Sequence, residues 1–166
     1  MQEATERNLK DAFAGESQAH MKYMVFADRA EREGLSNIAR LFRAASFSEQ
    51  IHAANHLKAL GVGKTSENLD AAFSGESFEI SSMYPEYMQV ADVEGEKRAL
   101  TSMHDAMEAE KVHAGLYARA KDSVAGGADM ATLAIFVCPV CGYTMEGEAP
   151  ERCPVCNAPS SKFVTF

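Results

Sequence analysis

Apolar residues recur along the first three quarters of the chain at intervals of three and four. Leu9, Ala12, Phe13, Tyr23, Ala27 and Ala30 share one helical face, and Ile38, Leu41, Phe42 and Ala45 share another. Further on, Leu69, Ala72, Phe73 and Met83, then Ala99, Met103, Ala106 and Tyr117, repeat the pattern, which has the 3.6-residue period of amphipathic helices. Gly34 and Gly95 are natural helix stops, because glycine accepts the left-handed conformation that ends a helix, and Ser36 is placed to cap the helix after it. The pattern predicts four helices near 4–31, 36–60, 68–91 and 96–123.

The halves of this region are copies. A shift of 61 positions matches Tyr23 to Tyr84, Ala30 to Ala91, Glu33-Gly34 to Glu94-Gly95, Ala45 to Ala106, Glu49 to Glu110 and His52-Ala53 to His113-Ala114. A shift of 60 matches Gly15-Glu16-Ser17 to Gly75-Glu76-Ser77, so the halves differ by one residue in length. An ordered series of this kind is an internal duplication of a helical hairpin. From residue 124 the period is lost. VAGGAD carries adjacent glycines and reads as a linker over 124–134, and residues 135–166 read as a short β-type module bearing every cysteine of the chain.

Composition narrows the function classes. A length of 166 residues, 46% of them apolar and 24% charged, suits one bundle-sized core with a small appendage. A net charge of −8 argues against nucleic acid or an anionic membrane as partner. MQEATERNLK has no apolar leader region, and the run ATLAIFVCPV is too short to span a bilayer, so a cytoplasmic location is expected. Cysteines confined to 138–156 as two C-x-x-C pairs favour a metal over disulfides.

Carboxylates on apolar helix faces are costly unless a cation compensates them. Glu16, Glu49, Glu76, Glu79 and Glu110 stand on such faces. Residues three apart share a helix face, so Glu49 with His52 and Glu110 with His113 each present an oxygen and a nitrogen to one metal. Glu16 and Glu76 add one carboxylate from each remaining helix. A lone Glu-x-x-His is usually a solvated pair, but two copies in register, each with a partner glutamate, form the arrangement of ferritin-like di-iron and di-manganese bundles. Oxygen and imidazole donors suit iron or manganese better than copper(I), and structural zinc seldom takes so many carboxylates.

Glu79 has Ala19 as its counterpart, so one metal has a spare carboxylate nearby. It reads as a seventh ligand that lets one metal change coordination with oxidation state, with a surface glutamate as the plainer reading. Tyr23 and Tyr84, also in register, are placed to hydrogen-bond ligand carboxylates or to fill the aromatic core. His20, His56 and His104 lie outside the register and are read as non-ligands.

CPVCGYTMEGEAPERCPVC has the spacing C-x2-C-x11-C-x2-C. Two such knuckles close a tetrahedral S4 site for iron or zinc. CPVCGY resembles rubredoxin, with a shorter gap between knuckles, and Asn157 stands where glycine is usual; asparagine also tolerates the left-handed turn.

Taken together, AGES, EQIH, SGESFEISSMYPEY, EKVH and CPVCGY with CPVC resemble the rubrerythrins over nearly all 166 residues. The resemblance implies a mainly α protein: a ferritin-like four-helix di-iron bundle over 1–123, a linker over 124–134 and a rubredoxin-like β module over 135–166. It places the di-iron ligands at Glu16, Glu49, His52, Glu76, Glu79, Glu110 and His113, and the ligands of a single iron, for which zinc could substitute, at Cys138, Cys141, Cys153 and Cys156. The redox-linked exchange of a histidine for a glutamate at one iron falls on His52 and Glu79. The implied activity is a peroxidase that reduces hydrogen peroxide to water in oxidative-stress defence. Electrons come ultimately from NAD(P)H through a reductase or a rubredoxin, and the protein is a cytoplasmic homodimer.

Cleaving peroxide to two waters takes two electrons and two protons. Paired ferrous ions suit the first requirement, and the carboxylates or a tyrosine suit the second. A closed FeS4 centre suits one-electron re-reduction, since its thiolates leave no open position. The competing readings are a ferroxidase or iron-handling role, which needs no electron-return relay, and a zinc-ribbon interaction module on a metal-stabilised scaffold. Chain geometry adds an expectation. Antiparallel Glu-x-x-His helices about a pseudo-twofold axis put the start of the third helix roughly 29 Å from the end of the second. About seven residues near GVGKTSE reach at most about 25 Å. A dimer that exchanges helices, or at least sets one chain's cysteine module beside the other's di-iron site, is therefore expected.

Overall fold

A computed structural model describes residues 1–131 and 134–166. The chain is mainly α, with a small three-stranded sheet at its C-terminal end. It divides into two compact units, Met1–Val62 and Gly63–Phe166.

The first unit is a hairpin of α1 (Glu3–Arg32) and α2 (Ser36–Leu60). Glu3 and Glu6 stand in the first turn of α1 and Arg29 and Arg32 in its last, the charge order that the helix dipole favours. Gly34, at φ 77°, ends the helix while the Leu35 amide reaches back to the Ala30 carbonyl at 2.9 Å. The Leu35 carbonyl then accepts from the Ala39 amide at 2.9 Å, which makes Leu35 the N-cap of α2, so the cap expected of Ser36 does not form. Ser36 is already inside the helix, and its hydroxyl donates to Glu31 at 3.3 Å. Small side chains, Ala27, Ala30, Ala39, Ser46 and Ala53, are buried between the helices. Tyr23, Phe26 and Phe42 pack beside them with ring centroids 5.6 to 6.3 Å apart, each pair worth about 0.5–1.5 kcal/mol beyond its buried area.

The second unit begins with α3 (Thr65–Phe78), a π-helical turn (Glu79–Met83) and α4 (Tyr84–Val93), then α5 (Lys97–Ala125). The third predicted helix is therefore continuous in direction but interrupted in its hydrogen bonding. The π turn lies between Glu76 and Tyr84, where this half is one residue longer than the first. An extra residue inside a helix is accommodated by one turn of i→i+5 bonding. Gly95, at φ 74°, repeats the turn at Gly34, with the Glu96 amide on the Ala91 carbonyl at 2.8 Å. The segment expected as a linker is helical as far as Ala125, and its residues 132 and 133 lie outside the described residues.

The cysteine module follows as β1 (Ile135–Val137), β2 (Thr144–Glu146) and β3 (Val164–Thr165), antiparallel in the order β2-β1-β3. Val137 is opposite both Thr144 and Val164. The short sheet packs its core around Cys138, Cys153 and Ala158. No helix among the described residues is long and apolar enough to cross a membrane.

Candidate metal centres

The two knuckles of the cysteine module repeat one backbone pattern. The Gly142 amide donates to the Cys138 carbonyl at 2.8 Å, and the Asn157 amide to the Cys153 carbonyl at 2.9 Å. Both fifth positions are left-handed, Gly142 at φ 81° and Asn157 at φ 63°, so asparagine here does the work of glycine. The knuckles bring the sulfurs of Cys138 and Cys156, and of Cys141 and Cys153, to 3.6 Å. A disulfide would set them about 2.05 Å apart, whereas a tetrahedron with metal–sulfur bonds of about 2.3 Å has edges of about 3.8 Å. The nest therefore fits a closed S4 metal site.

Its protonation agrees. Burial opposes ionisation of Cys138, but the amides of Cys141 and Val140 and the neighbouring thiols bring it down to about 7. Burial pushes the Cys141 and Cys156 thiols up. The Cys138 thiolate forms readily, whereas ionising Cys141 and Cys156 calls for a cation in the nest.

Each helical unit carries a triad of donors. In the first, His52 Nδ1 lies 2.8 Å from Glu49 Oε2 and 3.8 Å from Glu16 Oε1. In the second, His113 Nδ1 lies 2.6 Å from Glu110 Oε2 and 3.9 Å from Glu76 Oε1. The ligand atoms of each triad fall within 4.8 Å of one another. The near-equal distances express the duplication: three-residue spacing stacks Glu on His along α2 and α5, and the partner helix supplies the third donor. Two carboxylates and an imidazole nitrogen converging on one point fit a divalent iron or manganese ion.

The triads differ in their surroundings. Burial, a hydrogen bond with Glu110, and the charges of Glu110 and Glu79 raise Glu76 to about 7. Burial and the Glu110 charge also raise Glu79, with His113 acting against them. Glu79 is thus beside the second triad but is not one of its three converging donors. The Tyr84 hydroxyl is raised by burial and then by Glu79, Glu110 and Glu76, which keeps it protonated next to the carboxylates. Tyr23, its counterpart in register, packs on Phe26 and Phe42.

Of the three histidines outside the register, His20 lies against Ser46, with Nδ1 2.8 Å from its hydroxyl, and His104 lies beside Asp105 and Glu108. Neither they nor His56 enter a triad. One contact had no sequence signal. Thr144, 31 residues from His113 along the chain, places its hydroxyl 2.7 Å from His113 Nε2.

Comparison with known proteins agrees with these donor sets. Residues 7–121 match the rubrerythrin family, and residues 136–164 match the family described as the rubredoxin-like domain of rubrerythrin. Rubrerythrin-2 of Clostridium acetobutylicum is 39% identical, over 95% of this chain and 94% of its own length. Nigerythrin of Nitratidesulfovibrio vulgaris is 35% identical, over 98% and 87%. The solved structure of nigerythrin in a partially reduced state is similar at a TM-score of 0.58 and 34% identity, covering 98% of this chain and 86% of that one. The donor sets are thus those of a di-iron site and an Fe(Cys)4 site in an oxidoreductase, and the chain belongs to the rubrerythrin family.

Proposed function

We propose that the protein reduces hydrogen peroxide to water, with residues 1–123 as the di-iron bundle, 124–134 as the linker and 135–166 as the electron-relay module. The observation that carries this is the presence, in one chain, of two triads of paired glutamates with a histidine and a closed four-cysteine nest. When bound, paired irons supply the two electrons that O–O cleavage consumes, and a cysteine-held iron returns electrons singly. The ligands are Glu16, Glu49, His52, Glu76, Glu110 and His113, with Glu79 as the further carboxylate and His52 as the histidine it replaces in the redox-linked exchange. Glu79 lies beside the second triad without belonging to its three donors, which supports its role as the further carboxylate. Tyr84 holds a proton among the carboxylates of the second triad and orients them, whereas Tyr23, its counterpart in register, packs on Phe26 and Phe42 and fills the aromatic core of the first unit.

A ferroxidase or iron-handling role leaves the cysteine nest without a task, and a zinc-ribbon scaffold leaves both triads without one. The test is anaerobic mixing of the fully reduced, iron-loaded protein with peroxide or dioxygen, followed by the iron–thiolate absorbance. Fast reoxidation by peroxide at two electrons per molecule, slow with dioxygen, is the expected result. Faster reaction with dioxygen, or a cysteine centre that stays reduced, transfers the assignment to ferroxidase.

The working unit is a homodimer that exchanges helices. Only residues 61–64 join α2 to α3, a reach of about 17 Å against the roughly 29 Å that an antiparallel arrangement within one chain requires. Val25, Leu41 and Phe47 in the first unit are each about 60% exposed, an apolar surface that a second copy covers. Sedimentation at micromolar concentration is expected to give a dimer, and a monomer would overturn it. The electron donor is a reductase or a rubredoxin. The protein works in the cytoplasm, and its net charge of −8 disfavours nucleic acid or an anionic membrane as partner.

A further inference from the structure

The two triads match in their donors but not in what holds their histidines. Among the described residues the hydrogen bond of His52 is to Glu49 through Nδ1, and its side chain is half exposed. His113 makes the same bond to Glu110 through Nδ1 and a second, through Nε2, to the Thr144 hydroxyl at 2.7 Å. Thr144 is buried, and its own proton is committed: Oγ1 donates to the Gly142 carbonyl at 3.2 Å. The oxygen therefore faces His113 with a lone pair, and His113 Nε2 must carry the hydrogen. In that tautomer Nδ1, the nitrogen aimed at Glu110 and Glu76, presents its lone pair to a metal.

The placement is built on both sides. Thr144 and Glu146 point to the same side of β2, because side chains alternate along a strand. Glu146 pairs with Arg119 of α5, and the two contacts together dock the strand along the helix. Six helical residues from His113 to Arg119 span about 9 Å, and two strand residues span about 7 Å, so both contacts form with little tilt. Thr144 also lies three residues after Cys141 and bonds to the knuckle carbonyl at Gly142.

We propose that Thr144 is a positioning residue for the helical metal site, holding His113 in the tautomer that offers Nδ1 to the metal. The cysteine module thereby raises the metal affinity of the Glu76, Glu110 and His113 triad. The inference rests on the triad holding a metal and is independent of which oxidant that metal meets. A partner that fixes a ligating histidine through its other nitrogen is worth about 10–100-fold in metal affinity.

The test uses the full chain with iron in the cysteine site and the triads emptied, titrated with zinc(II) in a calorimeter. Thr144→Val keeps the shape of the side chain and removes the oxygen. It is expected to weaken one zinc site by about 10–100-fold, while Thr144→Ser restores it. In zinc-loaded, nitrogen-15-labelled wild type, the His113 Nε2–H resonance is expected to be present and protected from exchange, with zinc on Nδ1. Unchanged affinity in Thr144→Val with its iron–thiolate absorbance intact would overturn the proposal. If valine disturbs the cysteine site, the wild-type spectrum decides alone: zinc on Nε2, or an unprotected Nε2–H, sinks it. Neither readout involves peroxide, so failure of the peroxidase assignment would leave this result standing.

Discussion

Replacing His113 with alanine is expected to abolish metal retention by the second triad and to slow peroxide-driven reoxidation of the protein by at least about 100-fold. The lower bound follows because the loss of an outer partner alone costs about 10–100-fold, and this change removes the ligand itself. It also leaves Glu76 and Glu110 facing each other without a nitrogen donor between them, and Glu76 already carries the effect of its carboxylate neighbours. The four-cysteine nest uses no atom of α5, so its iron–thiolate absorbance should persist. His104→Ala serves as the control. That side chain is half exposed beside Asp105 and Glu108, and its removal should change neither metal content nor rate. Metal analysis and rapid mixing on the two variants check the prediction; full metal content in His113→Ala would remove His113 from the site.

Metal uptake and metal-free stability are expected to depend on pH in opposite directions, both through Glu76. Burial, the hydrogen bond with Glu110 and the nearby carboxylates raise its carboxyl from an ordinary value of 4.5 to about 7. Between those values the folded, metal-free protein holds a proton that the unfolded chain has released. Stability therefore falls as pH rises from about 4.5 to 7, by at most about 3 kcal/mol, and is level above that window. A metal takes the place of the same proton, so affinity should climb up to about tenfold per pH unit below 7 and then flatten. Denaturant titrations of the metal-free protein at pH 5 and 7.5 check the first trend, and proton release on metal addition checks the second. Glu76→Gln should flatten the stability profile, since glutamine does not ionise. A wild-type protein more stable at pH 7.5 than at pH 5 would contradict the assignment.

The pairing of donors was legible in the sequence because each triad depends on local geometry. Three-residue spacing puts Glu49 on His52 and Glu110 on His113 whatever the helices pack against, and the duplication pointed to Glu16 and Glu76 as the third members. The nest of Cys138, Cys141, Cys153 and Cys156 was equally legible. Each knuckle is a short local turn, and asparagine at 157 satisfies the backbone requirement that glycine meets at 142. The one-residue difference between the halves was visible as a change of shift from 60 to 61. Its physical form, a π turn opening at Glu79, was not visible, since an inserted residue could equally have gone into a loop.

Equivalence in sequence also failed to imply equivalence in surroundings. Tyr23 and Tyr84 occupy matching positions, yet one packs on aromatic rings and the other stands among carboxylates. His52 and His113 share a motif, but a strand that folds back from 31 residues away holds only the second. By itself the sequence determined the helical hairpins, their duplication, the donor sets and the cysteine knuckles, because periodicity and short spacings govern all of these. Tertiary structure alone decided which tyrosine faces the carboxylates, where the extra residue is absorbed and which histidine is locked by a hydroxyl. Those outcomes depend on packing between segments distant in the chain, on which local spacing places no constraint.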